Sequence, residues 1–422
     1  MGQYQTAEKQ TITAENISSH GKTKLKLLSF KPAHYTRQLS FNERAFLTGA
    51  ELSPPLANQI VCEGTGRLDY AHWLEAVATA SEANPGSRLI LKGILGTCRW
   101  VDSGSTPPVT EVIGSRWDGY CSEHAPFLES PLNPKVGPTC EVLLIPGDTP
   151  RVVFRTMHAA MDGRGTLTWV EDVFRALRGE RCIGSSSRLT DTDLARSIQK
   201  NFRKPYPTEH IPPTGKADMK ESGFVWRRVS VNARPHHLLA QTAILAAQEA
   251  WRHSDGIVRF GIPVDMRPRK RGLASTANLT FAIYIEIKKD STPEQIADDI
   301  KLQIEQKREG MLSKGDDLIR HVPLWLMKKT GAKIIHDRHK NGIYSISGFI
   351  SNFGRMDLSA YQAAGFTTTG IFAIPPANEY APFFLVLMGH EDTVELILTL
   401  PRKLATNDRL DSVMDHIVKN IK

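Results

Sequence analysis

The sequence is poor in cysteine, and the five it has fall in no metal-binding or cross-linking pattern. They stand at positions 62, 98, 121, 140 and 182 of 422 residues, an odd count with wide spacings and no Cys-x-x-Cys pair. A cysteine-based zinc site and a disulfide framework are therefore not expected, no metal site is anticipated elsewhere, and the expected compartment is the reducing cytoplasm. No apolar run approaches the ~18 residues of a membrane-spanning helix. Residues 1–20 are polar and lack the apolar centre of a secretory signal. No Gly-x-Ser-x-Gly occurs, so nothing announces a serine nucleophile on a strand-to-helix elbow. An excess of one charge sign is also nearly missing. Lys plus Arg is 53 against 45 for Asp plus Glu, a net +8. No basic run is interleaved with aromatics, which argues against nucleic acid. The small excess fits an acidic small molecule or an acidic protein partner.

What is present is globular: 41% hydrophobic and 23% charged residues. The length exceeds the ~100–200 residues of one ordinary domain, which implies two lobes or one large domain. Residues 1–25 read as a flexible tail and 26–180 as a first lobe. Residues 181–222, with Ser185-Ser186-Ser187 and prolines 205, 207, 212 and 213, read as a linker, and 223–422 as a second lobe. In the first lobe, residues 68–81 predict a helix with Leu68, Ala71, Leu74 and either Val77 or Ala78 inward. Residues 141–145 and 151–157 predict a hairpin around Pro146-Gly147-Asp148, and Thr166 opens an amphipathic helix that stops at Gly179. In the second lobe, strands are expected at 224–231, 257–264, 278–287, 343–354, 383–389 and 394–400. A nearly all-apolar helix runs from His237 to Trp251. Thr292-Pro293-Glu294-Gln295 is a capping box with proline at the first helical position, and Thr406 is expected to cap the last helix.

The strongest chemical signal is His158-x-x-x-Asp162-Gly163, set between a strand and a helix. A histidine at a strand end is held rigidly, and its neutral imidazole takes a proton from an amine or hydroxyl near pH 7. Gly163 suggests a tight turn. The bare pattern also describes a structural histidine beside a turn aspartate.

Two further stretches, Pro263-Val264-Asp265-Met266-Arg267-Pro268 and Ser351-Asn352-Phe353-Gly354-Arg355, follow in order. Together the three resemble the CoA-dependent acyltransferase superfamily, whose fold is named after chloramphenicol acetyltransferase. The likeness is nearest to condensation domains of nonribosomal peptide synthetases and their stand-alone relatives, including alcohol and polyketide-associated acyltransferases. It extends from about Leu39 to the C-terminus and is most specific over residues 137–179. Two points depart from the pattern. Many condensation domains carry a second histidine where this chain has Met157. The plant-type Asp-Phe-Gly-Trp-Gly motif is replaced by the Ser351–Arg355 stretch.

The resemblance implies an α/β fold (α+β two-layer lobes), with two chloramphenicol-acetyltransferase-like lobes in a V around a central active-site channel. It implies His158 as general base and Asp162 as a structural partner of Arg267. Met157, Asn278, Ser351, Asn352 and Gly354 become candidates for the cleft. Backbone N–H groups near Gly163 are candidates for an oxyanion site. The implied donor is an acyl-CoA or a phosphopantetheinyl thioester on a carrier protein, used as co-substrate with no cofactor permanently bound. The acceptor is a small amine or alcohol, and specialised metabolite assembly is the setting. Arg269, Lys270 and Arg271 are candidates for donor docking, with the alternative that they form a solvated loop. A monomer is expected, with neither nucleic acid nor membrane as partner. The alternative from another class is a catalytically silent condensation-like domain that recruits a partner. His236-His237 starts a helix without spaced partner ligands and His390-Glu391-Asp392 reads as a polar turn, so neither is expected to bind metal. The tryptophans at 117, 169, 226 and 325 could line a tunnel, with core packing the expectation for each.

Overall fold

A computed structural model describes residues 35–422 except 206, 219–220, 233–235, 320, 377, 422 and the side chain of residue 317. The expected tail at 1–25 lies outside the described residues. The first half runs β1 (Thr36–Gln38), α1 (Phe41–Leu52), β2 (Ala57–Gly66), α2 (Tyr70–Ala83), β3 (Leu89–Lys92), β4 (Arg99–Asp102), β5 (Val109–Glu111), β6 (Cys140–Ile145), β7 (Arg151–Met157) and α3 (Gly163–Leu177). A short helix α4 (Asp191–Ile198) follows. The second half runs β8 (Phe224–Val231), α5 (Leu238–His253), β9 (Val258–Asp265), β10 (Thr280–Ile287), α6 (Pro293–Glu305), α7 (Asp316–Ile319), α8 (Leu324–Asn341), β11 (Gly348–Met356), β12 (Phe366–Ile374), β13 (Phe384–His390), β14 (Thr393–Pro401) and α9 (Arg409–Asn420).

Two large sheets organise these elements. One has the order β12-β2-β7-β6-β5 and the other β10-β9-β11-β13-β14-β8, with a small third sheet β1-β4-β3. The β6–β7 hairpin pairs from Ile145↔Arg151 to Cys140↔Thr156. All seven residues of β7 are buried, so this central strand is covered on both faces and reads as an apolar run rather than an alternation. Helix α5 packs its alanines against the second sheet in a core with Phe260, Ile285, Leu385 and Leu398. The capping box at Thr292 and Gln295 forms, with proline in the first turn of α6. Among the described residues, no helix is long and apolar enough to cross a membrane.

Several elements differ from the sequence expectation for physical reasons. Helix α2 begins at Tyr70, and its buried stripe is Trp73, Ala76, Val77 and Ala80. Leu74 lies on the outer face, 39% exposed. The stripe has helical spacing, but the bulky Trp73 sets its register, not the leucines. Residues 181–222 contain α4, capped by Thr190 and Asp193, and Leu194 and Ala195 of that helix pack with Met266, Ala277 and Leu279. The linker is therefore part of the folded body. Thr406 does not cap α9; its hydroxyl pairs with Asp218. The helix starts after Asn407 and Asp408, both in the left-handed region. Strand β12 lies in the second half of the chain but pairs antiparallel with β2 in the first sheet.

This exchange of a strand is reinforced by a buried charge cluster. Arg228 on β8 donates to Glu395 on β14 at 2.7 and 2.9 Å and to Glu63 on β2 at 2.7 Å. Its guanidinium lies 3.9 Å from the ring centroid of Phe372 on β12. Burial would raise the pKa of Glu395, but hydrogen bonds from Arg228 and His390 hold it down at about 2. Replacing Arg228 by Met strands two carboxylates, and the expected loss is ~3–5 kcal/mol. Arg227→Ala, on the same strand, breaks only exposed pairs to Asp411 and Asp415 and is expected to cost less than ~1 kcal/mol. Urea unfolding of the two variants checks the contrast.

Candidate active site

His158 is the first residue after β7, and both of its backbone groups are tied down. Its N–H donates to the carbonyl of Leu56 at 3.2 Å, and its carbonyl accepts from Asn278 Nδ2 at 2.8 Å. The ring nitrogen Nδ1 lies 3.3 Å from the carbonyl oxygen of Met161. That oxygen is itself held by Asn58 Nδ2 at 2.8 Å. A carbonyl can only accept, so this contact favours the tautomer with hydrogen on Nδ1 and a lone pair on Nε2. Among the described residues, Nε2 has no protein partner. The ring packs against Phe46 of α1, centroids 4.2 Å apart. Burial pushes the imidazole pKa down to about 4, against an opposing pull from Asp162. The ring is half-buried and neutral at pH 7.

Asp162 is the N-cap of α3, which begins at Gly163, three residues before Thr166. Its carboxylate is fully used. Oδ1 accepts from Gly165 N at 2.6 Å and Arg267 Nη2 at 3.0 Å. Oδ2 accepts from Arg267 Nη1 at 3.1 Å, Leu279 N at 2.7 Å and Thr280 Oγ1 at 2.8 Å. Arg267 is equally committed. Beyond its two bonds to Asp162, Nε donates to Ser275 O at 2.8 Å, Nη1 to Asp265 at 2.7 Å and Nη2 to Ala277 O at 2.5 Å. All five guanidinium N–H groups are spent. Burial alone would raise the Asp162 pKa, but Arg267, with the hydrogen bonds from Gly165 and Thr280, more than offsets this and holds the carboxyl below its ordinary value. No lone pair is left for a substrate, so this aspartate positions rather than reacts.

The two glycines after Asp162 serve close approach. Neither has a positive φ, so the tight-turn reading of Gly163 is corrected. A Cβ on Gly163 would stand 2.4 Å from Phe353 Cζ, and one on Gly165 would stand 2.3 Å from Thr276 O. Segments of the second half press directly on the start of α3 at both points.

These residues border a cavity of about 550 Å³ lined from both halves of the chain. Its wall includes His158, Asp162, Gly163, Asn278, Ser351 and Asn352. Asn278 is 1% exposed, and its Oδ1 has no partner, so a buried acceptor stands beside the histidine without a donor. Other expectations are corrected. Met157 is 1% exposed and packs in a separate core with Leu39, Leu47 and Trp100. Gly354 is outside the wall and has φ +74° at a β-bulge, its N–H bonded to Asn352 Oδ1 at 2.9 Å. Arg269 is spent on Glu309 and the carbonyl of Ile304, while Lys270 and Arg271 are exposed and away from the wall. Trp117, Trp169 and Trp226 are core residues as expected, whereas Trp325 is 67% exposed. Among the described residues, no cluster of His, Cys, Asp and Glu could hold a metal ion. Sequence reading missed Phe46 and Asn58. A Ser40-x-x-Glu43 capping box, formed in the structure, was the signal that could have found α1 and hence Phe46.

Replacing Arg267 by Ala leaves Asp162 buried with a charge and no cation, and the expected loss is ~3–5 kcal/mol. Asp162→Asn keeps the shape but removes two charge-assisted bonds, so it should also lower stability. Thermal melting of both variants checks this. Unchanged midpoints would mean that the pair does not hold the His158 loop.

No protein-family model matches the chain, and no curated protein matches it. Solved structures do. A condensation domain from the Monacolin K polyketide synthase MokA is 11% identical, with 91% of this chain and 96% of that one covered and a TM-score of 0.60. A mutant starter condensation domain of rhizomide synthetase RzmA, in complex with C8-CoA, is 13% identical over 91% and 93%, with a TM-score of 0.63. Polyketide synthase associated protein 5 from Mycobacterium tuberculosis is 14% identical over 92% and 98%, with a TM-score of 0.60. The chain therefore shares the fold of these condensation domains, two chloramphenicol-acetyltransferase-like lobes in one chain.

Proposed function

We propose that the protein transfers an acyl group from a thioester to an amine or alcohol, with His158 as general base. The observation that carries this reading is the neutral imidazole, oriented through Nδ1, with Nε2 unpaired at the wall of a cavity lined by both halves. The acceptor's O–H or N–H bond breaks as its proton passes to Nε2. The heteroatom bonds to the thioester carbon, and the carbonyl oxygen becomes an oxyanion. The carbonyl re-forms as the C–S bond breaks, and the proton leaves with the thiolate as free thiol. No acyl-enzyme is needed. The N–H groups of Gly163 and Arg164, uncapped at the start of α3, would face a developing negative charge favourably.

In this reading the donor is acyl-CoA or a carrier-bound phosphopantetheinyl thioester, and the setting is cytoplasmic assembly of a specialised metabolite. The RzmA domain was solved with C8-CoA, which supports a CoA thioester as the first donor to try. Residues 26–180 and 223–422 would act as two lobes of one enzyme. Lys270 and Arg271 remain the surface cations for the donor's phosphates or an acidic carrier.

Acyl-CoA is incubated with a panel of amines and alcohols, and thiol release and product mass are followed. His158→Ala is expected to lower turnover ~10²–10⁴-fold with an unchanged melting temperature. Full turnover in that variant would remove the base assignment. The pH profile is a second check. Because burial lowers the imidazole pKa to about 4, the base stays unprotonated through mildly acidic solution. With an alcohol acceptor, which does not itself titrate in this range, the rate should remain level from about pH 8 to about pH 6 and fall only as the pH nears about 4. A midpoint at the ordinary histidine value of about 6.5 would mean that the reacting group is exposed to water.

A further inference from the structure

The second sheet is forked beneath the cavity. Strands β9 and β11 run parallel but pair only at Phe260↔Gly348 and Gly261↔Phe349. Beyond that point β9 stays with β10, through Asp265↔Thr280. Strand β11 stays with β13, through Met356↔His390. The cavity lies over the fork. Pro263 and Ala282, paired with each other, line it from one prong, and Ser351 and Val386, also paired, line it from the other. These side chains are small or medium-sized, and only Ser351 is polar.

Where the prongs meet, the lining changes. Register aligns Tyr284, Gly261, Phe349 and Phe384 in one row across four strands. Gly261 has no side chain, and a Cβ there would stand 2.5 Å from Phe349 Cε1. The Phe349 ring therefore lies over β9 and carries the aromatic wall across the gap towards Tyr284. Phe349 and Phe384 are 5.6 Å apart between centroids. Tyr284 is held by guanidinium groups, Arg203 at 4.8 Å and Arg259 at 4.9 Å from its ring centroid. Arg203 Nη1 also donates to its hydroxyl at 3.3 Å. Two cations thus brace the Tyr284 end of the wall. The opposite end of the floor is the reacting end, because Asn278 and Thr280 are tied to His158 and Asp162. Thr280 and Tyr284 are four positions apart on β10, or ~13 Å at ~3.3 Å per residue.

We propose that Tyr284, Phe349 and Phe384 form a stop that sets the greatest length of an unbranched apolar chain lying in the fork, with its functional end at His158. The proposal rests on the acyl-transfer reading for what the chain belongs to: the acyl group of the thioester or the alkyl body of the acceptor. Both offer the same chemistry to the fork. Binding tightens with each methylene that enters, roughly fourfold per group, until the chain meets the wall.

The test measures binding by calorimetry for saturated acyl-CoA thioesters from acetyl to palmitoyl, and separately for n-alkylamines of the same lengths. The proteins are the wild type, Phe349→Ala, Phe384→Ala and, as a plug of the fork from a different strand, Ala282→Phe. Wild-type affinity should rise with chain length to a limit and then fall. Phe349→Ala and Phe384→Ala should move the limit to longer chains, and Ala282→Phe should move it to shorter ones. A shift in the CoA series assigns the fork to the donor, and a shift in the amine series assigns it to the acceptor. Folded variants that leave both limits in place overturn the stop. If Phe349→Ala fails to fold, Ala282→Phe still decides. Turnover measured in parallel keeps the two readings apart. Shifted binding limits without any transfer would leave the stop standing and remove the acyl-transfer reading, and transfer with unshifted limits would do the reverse.

Discussion

The site depends on one buried ion pair, Asp162 with Arg267, formed by residues 105 positions apart. Two charges removed from water cost several kcal/mol each, and their attraction offsets this only when geometry is good and every other hydrogen-bonding position is filled. Here both conditions hold. The carboxylate accepts five bonds and the guanidinium donates all five of its hydrogens. Such a pair cannot be relaxed piecemeal. It fixes the start of α3, the 275–280 segment and the turn after β9 together, and these are the boundaries of the cavity on one side. A hydrophobic contact of the same area would tolerate sliding. Eight hydrogen bonds, two of them shared by the pair itself, do not, which suits a place where a histidine is held between two halves of a chain.

The histidine gains its properties from what surrounds it rather than from a charged partner. Asp162 is only four residues away, but its lone pairs are consumed by Arg267, Gly165, Leu279 and Thr280, so it cannot accept from the imidazole. Nδ1 faces a backbone carbonyl instead. A neutral acceptor orients the ring without stabilising its protonated form as a carboxylate would, and burial beside Phe46 then dominates. The result is an imidazole of low proton affinity, neutral at pH 7. Such an imidazole would push weakly on a proton in the proposed reaction, so a developing negative charge would need stabilising elsewhere; the first two N–H groups of α3, at Gly163 and Arg164, lie at the cavity wall for that purpose. The close approaches at Gly163 and Gly165 serve that end. Side chains at either position would force Phe353 or the Thr276 backbone away and open the helix start to water.

Much of this was legible in the sequence, and the failures have a common cause. The elements read from local signals are present: the β6–β7 hairpin around its Pro-Gly turn, the α6 capping box and strand β8. The short, ordered motifs also pointed to residues that the fold brings together: His158 and Asp162 line one cavity, and Arg267 pairs with Asp162. What could not be read were facts of tertiary placement. Thr406 has the chemistry of a cap, but Asp218 and Arg409 claim its hydroxyl. Gly163 looks like a turn glycine because the ring that needs its space lies 190 positions away. Arg269 looks like a free cation because its partner, Glu309, is buried 40 residues downstream. Met157 adjoins His158, yet alternation along a strand sends neighbours to opposite faces, and it falls in the core with Trp100. Strand β12 was missed because its meaning lies in its pairing with β2, which no local pattern announces.

The fork in the second sheet shows why a cavity exists here at all. A continuous sheet packed against another would fill its face with interdigitating side chains, as native interiors do. Parallel strands β9 and β11 stay paired for only two residues, so the floor divides before it can be filled. The open ladder groups that result would be costly if dry, which favours placing the division where a substrate and water enter. Antiparallel partners on each side, β10 for β9 and β13 for β11, keep the prongs stiff. The Asp162–Arg267 pair then holds the tip of one prong to the start of α3, since Arg267 lies two residues beyond the end of β9 and Thr280 begins β10. Phe353, near the end of the other prong, packs on Gly163 at the same helix start. Both prongs therefore end on the loop that carries His158, and the space between them is bounded by the aromatic row at one end and by the imidazole at the other.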